Sequence, residues 1–269
     1  MAKTNMSSIT KRILAALVMV PVTILVLYEG YPLMDAFVLC IGAALAWEWT
    51  NMAAKKNQAV YALSYMLALV CSTMIYATNA TIAFIAALTL FVWFKARKEE
   101  NRKLLTLGVV YISVCAGALL WTYYVIGFIG TLWFFLMVWS VDVGGYIVGS
   151  NLKGPKLAPK ISPNKTWSGL FGGVLLSSTV SILFFTILNS ISGKPQDWEA
   201  QRFFAIVAAC IAVIEQCGDL IESAIKRHCG VKDSSSIIPG HGGVFDRVDG
   251  LIFAAPFVYF FFNYALWRF

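Results

Sequence analysis

Charge is scarce in this chain, and histidine nearly absent. Of 269 residues only 13% are Asp, Glu, Lys or Arg, two are His, and 59% are hydrophobic. An ordinary soluble domain carries about 25% charged residues, so that class is excluded and no soluble domain of useful size remains. Paired cysteine spacing is also missing. The six cysteines, at 40, 71, 115, 210, 217 and 229, lie mostly inside apolar runs, which reads as small buried side chains rather than zinc ligands or disulfides. The Gly-Lys-Ser/Thr ending of a phosphate-binding Walker loop is absent. The net charge of +7 is spread over short loops without forming a basic stripe, so it excludes nucleic acid as the natural partner.

What the chain has instead is apolar runs, each sufficient to cross the ~30 Å hydrocarbon layer as a helix. The expected fold is all-α: a polytopic integral membrane protein with about nine transmembrane helices, near 13–28, 33–49, 60–77, 79–95, 104–127, 131–150, 168–191, 203–225 and 250–267. The first run, charged and then apolar, lacks a small-residue cleavage site and reads as a retained helix. With the amino terminus cytoplasmic, 18 of the 21 Lys and Arg fall inside, and only Lys194, Arg202 and Arg268 fall outside. The two richest loops, 151–167 and 226–249, then both face the cytoplasm. Residues 1–103 form an N-terminal set of membrane helices with few polar residues, and 104–269 the catalytic membrane domain. Tyr28, Tyr31, Trp47 and Trp49 read as interfacial anchors. Residues 96–103, ARKEENRK, read as a solvated run beside anionic headgroups.

The chemistry is concentrated near the end of the eighth span. Glu215, Asp219, Glu222 and Lys226 follow at steps of four, three and four residues and share one helical stripe. Asp142 adds an acid in span six, before Gly144-Gly145, which admit a close neighbour. Acids cost ~2.5–3.5 kcal/mol each at the centre of lipid, so they face a cavity, here a polar one open to the cytoplasm. An internal ion-pair network, Glu222 with Lys226 or Arg227, is the structural alternative for Glu222. Asp219, two turns inside the helix end, can meet Asp246 if the following loop folds back, and two converging carboxylates suit Mg²⁺. The Gly240-His241-Gly242-Gly243 turn offers N–H groups to phosphate oxygens. Loop 151–167 supplies Lys153, Lys156, Lys160 and Lys165 among three prolines, an arrangement that favours anion binding.

Ser223, Lys226, Arg227, Lys232, Asp233, Pro239, His241, Gly242, Gly243, Asp246, Arg247 and Asp249 fill the pattern Ser-x-x-Lys-Arg, Lys-Asp, Pro-x-His-Gly-Gly-x-x-Asp-Arg-x-Asp. This resembles the signature of the phosphatidate cytidylyltransferases, or CDP-diacylglycerol synthases. Asp142 with Ser162, Pro163, Lys165, Thr166 and Trp167 is similar to that family's upstream element. The detailed resemblance covers roughly 140–250, and the first five spans match in hydropathy alone.

The resemblance implies an enzyme of the bacterial inner membrane that transfers CMP from CTP to phosphatidic acid, giving CDP-diacylglycerol and pyrophosphate. It implies Mg²⁺ with a second, monovalent cation, and a homodimer among membrane lipid. Asp219 and Asp246 would hold the metal, with Lys226 and Asp249 completing the catalytic set. Asp142, Ser162, Lys165, Thr166, Ser223, Arg227, Lys232, His241, Gly242, Gly243 and Arg247 would bind substrate. A CTP-dependent lipid kinase and a secondary transporter of an anionic solute are the alternatives; the kinase would release CDP, and the transporter would favour paired broken helices.

Overall fold

The computed structural model describes residues 8–73, 79–238 and 242–265. Among these the chain is mostly helical: α1 (Ser8–Glu29), α2 (Leu33–Ala53), α3 (Gln58–Thr73), α4 (Asn79–Lys95), a short 3₁₀ turn (Ala96–Lys98), α5 (Arg102–Leu152), β1 (Lys156–Ala158), β2 (Ser162–Thr166), α6 (Trp167–Ile191), α7 (Trp198–His228) and α8 (Phe245–Ala265). Five of these segments, 33–53, 79–98, 102–152, 167–191 and 198–228, are long and apolar enough to cross a membrane. This is a membrane protein built from helices.

The two expected spans 104–127 and 131–150 are one helical run, α5, broken where Gly127 adopts φ 66° and ψ −169°. Only a residue without a Cβ takes that conformation readily, so the break falls on a glycine.

The all-α expectation holds in outline, with one short local exception. Loop 151–167 contains an antiparallel hairpin in which Lys156 faces Thr166 and Ala158 faces Ser162. Its prolines prevent a helix but leave short extended segments free to pair. The charged loop 226–249 is also shorter than expected at both ends. Helix α7 carries Ser223, Lys226 and Arg227, while α8 already carries Asp246, Arg247 and Asp249.

The chain forms two compact units, 1–124 with 228–248, and 125–227 with 249–269. In the first, α2 and α3 pack together and bond to the first half of α5. Trp49 Nε1 donates to the Leu104 carbonyl at 3.1 Å, the Tyr65 hydroxyl to Leu105 O at 2.6 Å, and Ser72 Oγ to Ser113 O at 2.7 Å. Trp49 is 1% exposed and is therefore a core residue, not an interfacial anchor; Tyr28, Tyr31 and Trp47 are exposed. Its place on the buried face of α2 decides this, which a position near a span end cannot reveal.

In the second unit Trp133 organises the core. It meets Phe185, Phe204 and Phe262 with ring centroids 5.6–6.2 Å apart and donates to Ser181 Oγ at 2.9 Å. The later half of α5 crosses α6 through glycines. A Cβ on Gly144 would lie 2.5 Å from the Gly172 carbonyl, and one on Gly172 would lie 2.7 Å from the Gly144 carbonyl. Gly144 thus admits a neighbouring helix, one of the two uses its sequence position allows.

Candidate active site

The hairpin ends by starting a helix. Thr166 has extended backbone, and its Oγ1 accepts the Gly169 N–H at 3.1 Å, the geometry of an N-cap. This fixes Lys165 one residue before the cap, where its ammonium pairs with Asp219 of α7. Asp219 in turn accepts from Ser223 Oγ at 3.3 Å, one turn along the same helix.

Asp219, Glu222 and Asp249 bring carboxylate oxygens within 4.8 Å of one another. Lys226 Nζ lies 2.6 Å from Glu222 Oε2, so the ion pair read as the structural alternative for Glu222 is formed. Glu215, 3% exposed, lies within electrostatic reach of Asp142, Lys165, Asp219 and Asp249. Its Oε2 has no hydrogen-bond partner among the described residues. Gly218 and Gly250 let α7 and α8 approach this closely: a Cβ on Gly218 would meet Phe253 Cβ at 2.6 Å, and one on Gly250 would meet Glu215 Cγ at 2.6 Å. Five acids thus stand with Lys165 and Lys226, an acidic excess that favours a bound cation.

Beside this cluster lies a cavity of about 650 Å³. Asp142, Asp219 and Gln216 line it together with Lys153, Lys156, Lys165 and the backbone of Gly145, Gly149 and Gly169. Three lysines and several close-approach glycines around two carboxylates suit a polyanion.

Of the remaining motif residues, Lys232, Asp233, Gly242, Gly243, Asp246 and Arg247 belong to the first unit, and Ser162 and Arg227 to the second. One oxygen of Asp246, Oδ2, accepts from the N–H groups of Ser234 at 3.0 Å and Gly243 at 2.7 Å, and from Ser234 Oγ at 3.0 Å. The expected metal ligand therefore also orders the segment before α8. Gly242 has φ 83°, and Ile238 N–H donates to its carbonyl at 2.9 Å. Lys232 and Arg247 are exposed on this segment and on α8, and Arg227 is exposed near the end of α7. Ser162 opens β2. His241 lies outside the described residues.

Sequence reading missed Glu48. This acid of α2 is completely buried, and its carboxylate accepts four hydrogen bonds: Ser234 Oγ at 2.9 Å, Ser235 Oγ at 2.6 Å, and the N–H groups of Val244 and Phe245 at 2.8 Å each. Phe245 is held from its other side by Trp49 and Tyr111, with ring centroids 5.6 and 6.0 Å away. An acid inside an apolar span, well away from Asp35 at the span's start, was the available signal, because such a group must find internal donors.

Carboxylates clustered beside a lysine-lined cavity in a helical membrane protein are an arrangement suited to phosphate chemistry. The profile of the cytidylyltransferase family matches residues 10–265, and the chain belongs to that family. A phosphatidate cytidylyltransferase of Brucella melitensis is 34% identical over 261 residues, covering 95% of this chain and 94% of that protein. Proteins of the same name from Bacillus subtilis and Rickettsia felis are 42% identical over 125 residues and 45% over 127. Those two alignments cover 46% and 47% of this chain, and 44% and 56% of the relatives. The similarity thus extends beyond the motif region into the N-terminal helices.

Proposed function

We propose that this chain is a phosphatidate cytidylyltransferase, which transfers CMP from CTP to phosphatidic acid and yields CDP-diacylglycerol and pyrophosphate. The observation that carries the reading is the Asp219–Glu222–Asp249 cluster, tied through Lys165 to a cavity lined by further lysines. Family membership and the relatives' names support it, and they do not favour the kinase or transporter alternatives.

The lipid phosphate is already an anionic nucleophile near neutral pH, so the reaction asks for no strong base. One of its oxygens forms a bond to the α-phosphorus of CTP as the bond from that phosphorus to the β-phosphate oxygen breaks, and pyrophosphate leaves with the electron pair. Lys153, Lys156 and Lys165 hold the triphosphate in the cavity, and the bare backbone at Gly145, Gly149 and Gly169 lets it approach. Asp142 and Asp219 restrict how it can lie, since unshielded phosphate oxygens avoid them. Arg227, Lys232, His241 and Arg247 are the further candidates for phosphate contacts, together with Ser162, Thr166, Ser223, Gly242 and Gly243.

The donor set fits Mg²⁺: it is all oxygen, anionic in excess and close enough to share one ion. Asp219, Glu222 and Asp249 would hold it, with Asp246 as the ligand expected from the motif, and Mg²⁺ when bound would neutralise charge on the reacting phosphates. A second, monovalent cation, a homodimer, nine spans with a cytoplasmic amino terminus, and a cavity open to the cytoplasm of a bacterial inner membrane belong to the same proposal.

The test is conversion of α-labelled CTP by purified protein in phosphatidic-acid micelles containing Mg²⁺, beside Asp219→Asn. Labelled CDP-diacylglycerol with pyrophosphate, lost in a folded variant, supports the reading. Lipid labelled only from γ-labelled CTP would mean a kinase, and no labelled lipid with either nucleotide would overturn transfer altogether.

A further inference from the structure

A second cavity, about 550 Å³, lies at the far end of α4 within the first unit and takes no part in the chemistry above. Two basic stretches form it, Lys55-Lys56-Asn57 between α2 and α3, and Lys95 to Lys98 at the end of α4 and in the 3₁₀ turn that follows. They are tied together by the acids that follow. The Glu99 carboxylate accepts the backbone N–H groups of Lys55 at 3.0 Å and Lys56 at 3.2 Å, and Lys55 Nζ donates to Glu100 at 2.6 Å. Glu100 raises the affinity of the Lys55 ammonium for its proton, and Lys55 lowers that of the Glu100 carboxylate, so both stay charged across the neutral range.

These ties leave a cationic excess. Lys56, Lys95, Arg97 and Lys98 are all exposed, and among the described residues none of the four stands in an ion pair. The wall beside them is apolar, with Phe91 48% and Phe94 66% exposed. Helix α4 as a whole has only Val92 buried, although it is apolar enough to cross a membrane. A free anion would use the cations and leave the phenylalanines idle. A phospholipid uses both, placing its phosphate among the basic side chains and its acyl chains along α4.

We propose that this cavity is a binding site for the headgroup of an anionic phospholipid, separate from the site that takes the reacting lipid. The probe is phosphatidylglycerol, whose phosphate is a diester and cannot serve as the nucleophile. Full-length protein in detergent is equilibrated with equal amounts of phosphatidylglycerol and phosphatidylcholine of matched chains, and retained lipid is counted by native mass spectrometry. Wild type should retain phosphatidylglycerol preferentially. Each basic residue beside an anionic headgroup contributes on the order of fivefold, so Lys56→Gln/Lys95→Gln/Arg97→Gln should lose roughly tenfold or more of the preference. Asp219→Asn, changed only in the reaction site, should keep it. The single variants Lys56→Gln and Lys95→Gln should show graded partial losses, which keeps the test decisive if the triple variant folds poorly. Equal retention of the two lipids by wild type, or an undiminished preference in the folded variants, overturns the proposal. So does complete displacement of phosphatidylglycerol by inorganic phosphate, which would make this a site for free anions.

Discussion

The backbone N–H of Phe245 donates to the carboxylate of Glu48 at 2.8 Å, across 197 residues of sequence. The contact joins a fully buried acid of α2 to the first residue of α8. A helix start presents unpaired N–H groups and a partial positive charge, and a buried carboxylate needs both donors and compensating charge. Each therefore answers the other's deficit. Ser234 lies between Glu48 and Asp246, with its hydroxyl 2.9 Å from one carboxylate and 3.0 Å from the other, so its single proton can serve only one at a time.

Replacing Glu48 should therefore loosen the whole segment before α8. Glu48→Ala strands the N–H groups of Val244 and Phe245 and the hydroxyls of Ser234 and Ser235, and should cost about 3 kcal/mol of stability. Glu48→Gln should fall between, because its amide oxygen still accepts while its NH₂ group confronts donors. Thermal melting in detergent reads the stability. Turnover measured well below the melting temperature should still fall in Glu48→Ala, since Ser234 and Gly243 of that segment are bonded to Asp246.

Gly243 permits that same meeting. A Cβ there would overlap Ser234 Oγ and the Glu48 carboxylate, and its N–H already serves Asp246 at 2.7 Å. Gly243→Ala should reproduce the loosening seen in Glu48→Ala, and the two changes combined should cost less than their sum because they break one network. Limited proteolysis within residues 229–244 checks this, with faster cleavage expected in both variants.

Part of the candidate site's geometry was legible from spacing alone. Steps of three and four residues put Asp219, Glu222 and Lys226 on one face of α7, and the Glu222–Lys226 pair needs nothing more than that geometry. The hairpin was not legible, because five residues containing Pro163 carry no alternating pattern and the pairing is set by the chain returning from α5 to α6. Glu48 was hidden for a different reason. Its partners lie about 190 residues away, and periodicity within α2 says nothing of what folds onto it. Trp49 was misplaced by the same blindness to which face of α2 is covered.

The crossing of α5 and α6 depends on its bare backbone. Gly172→Ala would push a methyl group to 2.7 Å from the Gly144 carbonyl, an atom that cannot swing aside. A loss of about 1–3 kcal/mol is expected. Because Asp142 stands two residues before Gly144 and Lys165 two residues before the start of α6, the KM for CTP should rise as well. Gly193→Ala, where a Cβ meets nothing within 4 Å but φ is 63°, gives the comparison: local backbone strain without the change in KM.

Cys229 follows directly after α7 and is half-buried, and burial raises its thiol above the ordinary range. A raised pKa means less thiolate at neutral pH and slower alkylation. Site-resolved iodoacetamide labelling should therefore find Cys229 slower than an unstructured thiol at neutral pH, with the difference narrowing as pH rises through the shifted value. Equal rates at neutral pH would contradict the burial.

The sharpest separation concerns Glu222, which is both one of three clustered carboxylates and the partner of Lys226. If its main role is structural, Glu222→Gln removes the carboxylate paired with a largely buried lysine and should destabilise the protein by about 3–5 kcal/mol, while Glu222→Gln/Lys226→Met should restore much of that stability. If it also holds Mg²⁺, the double variant should be stable and still demand at least tenfold more Mg²⁺ for half-maximal turnover. Asp249→Asn, whose carboxylate belongs to the same cluster, sets the scale for a lost ligand. Melting temperature and Mg²⁺ titration are independent readings, so stability restored with an unchanged Mg²⁺ requirement would leave Glu222 to the ion pair and the metal to the two aspartates.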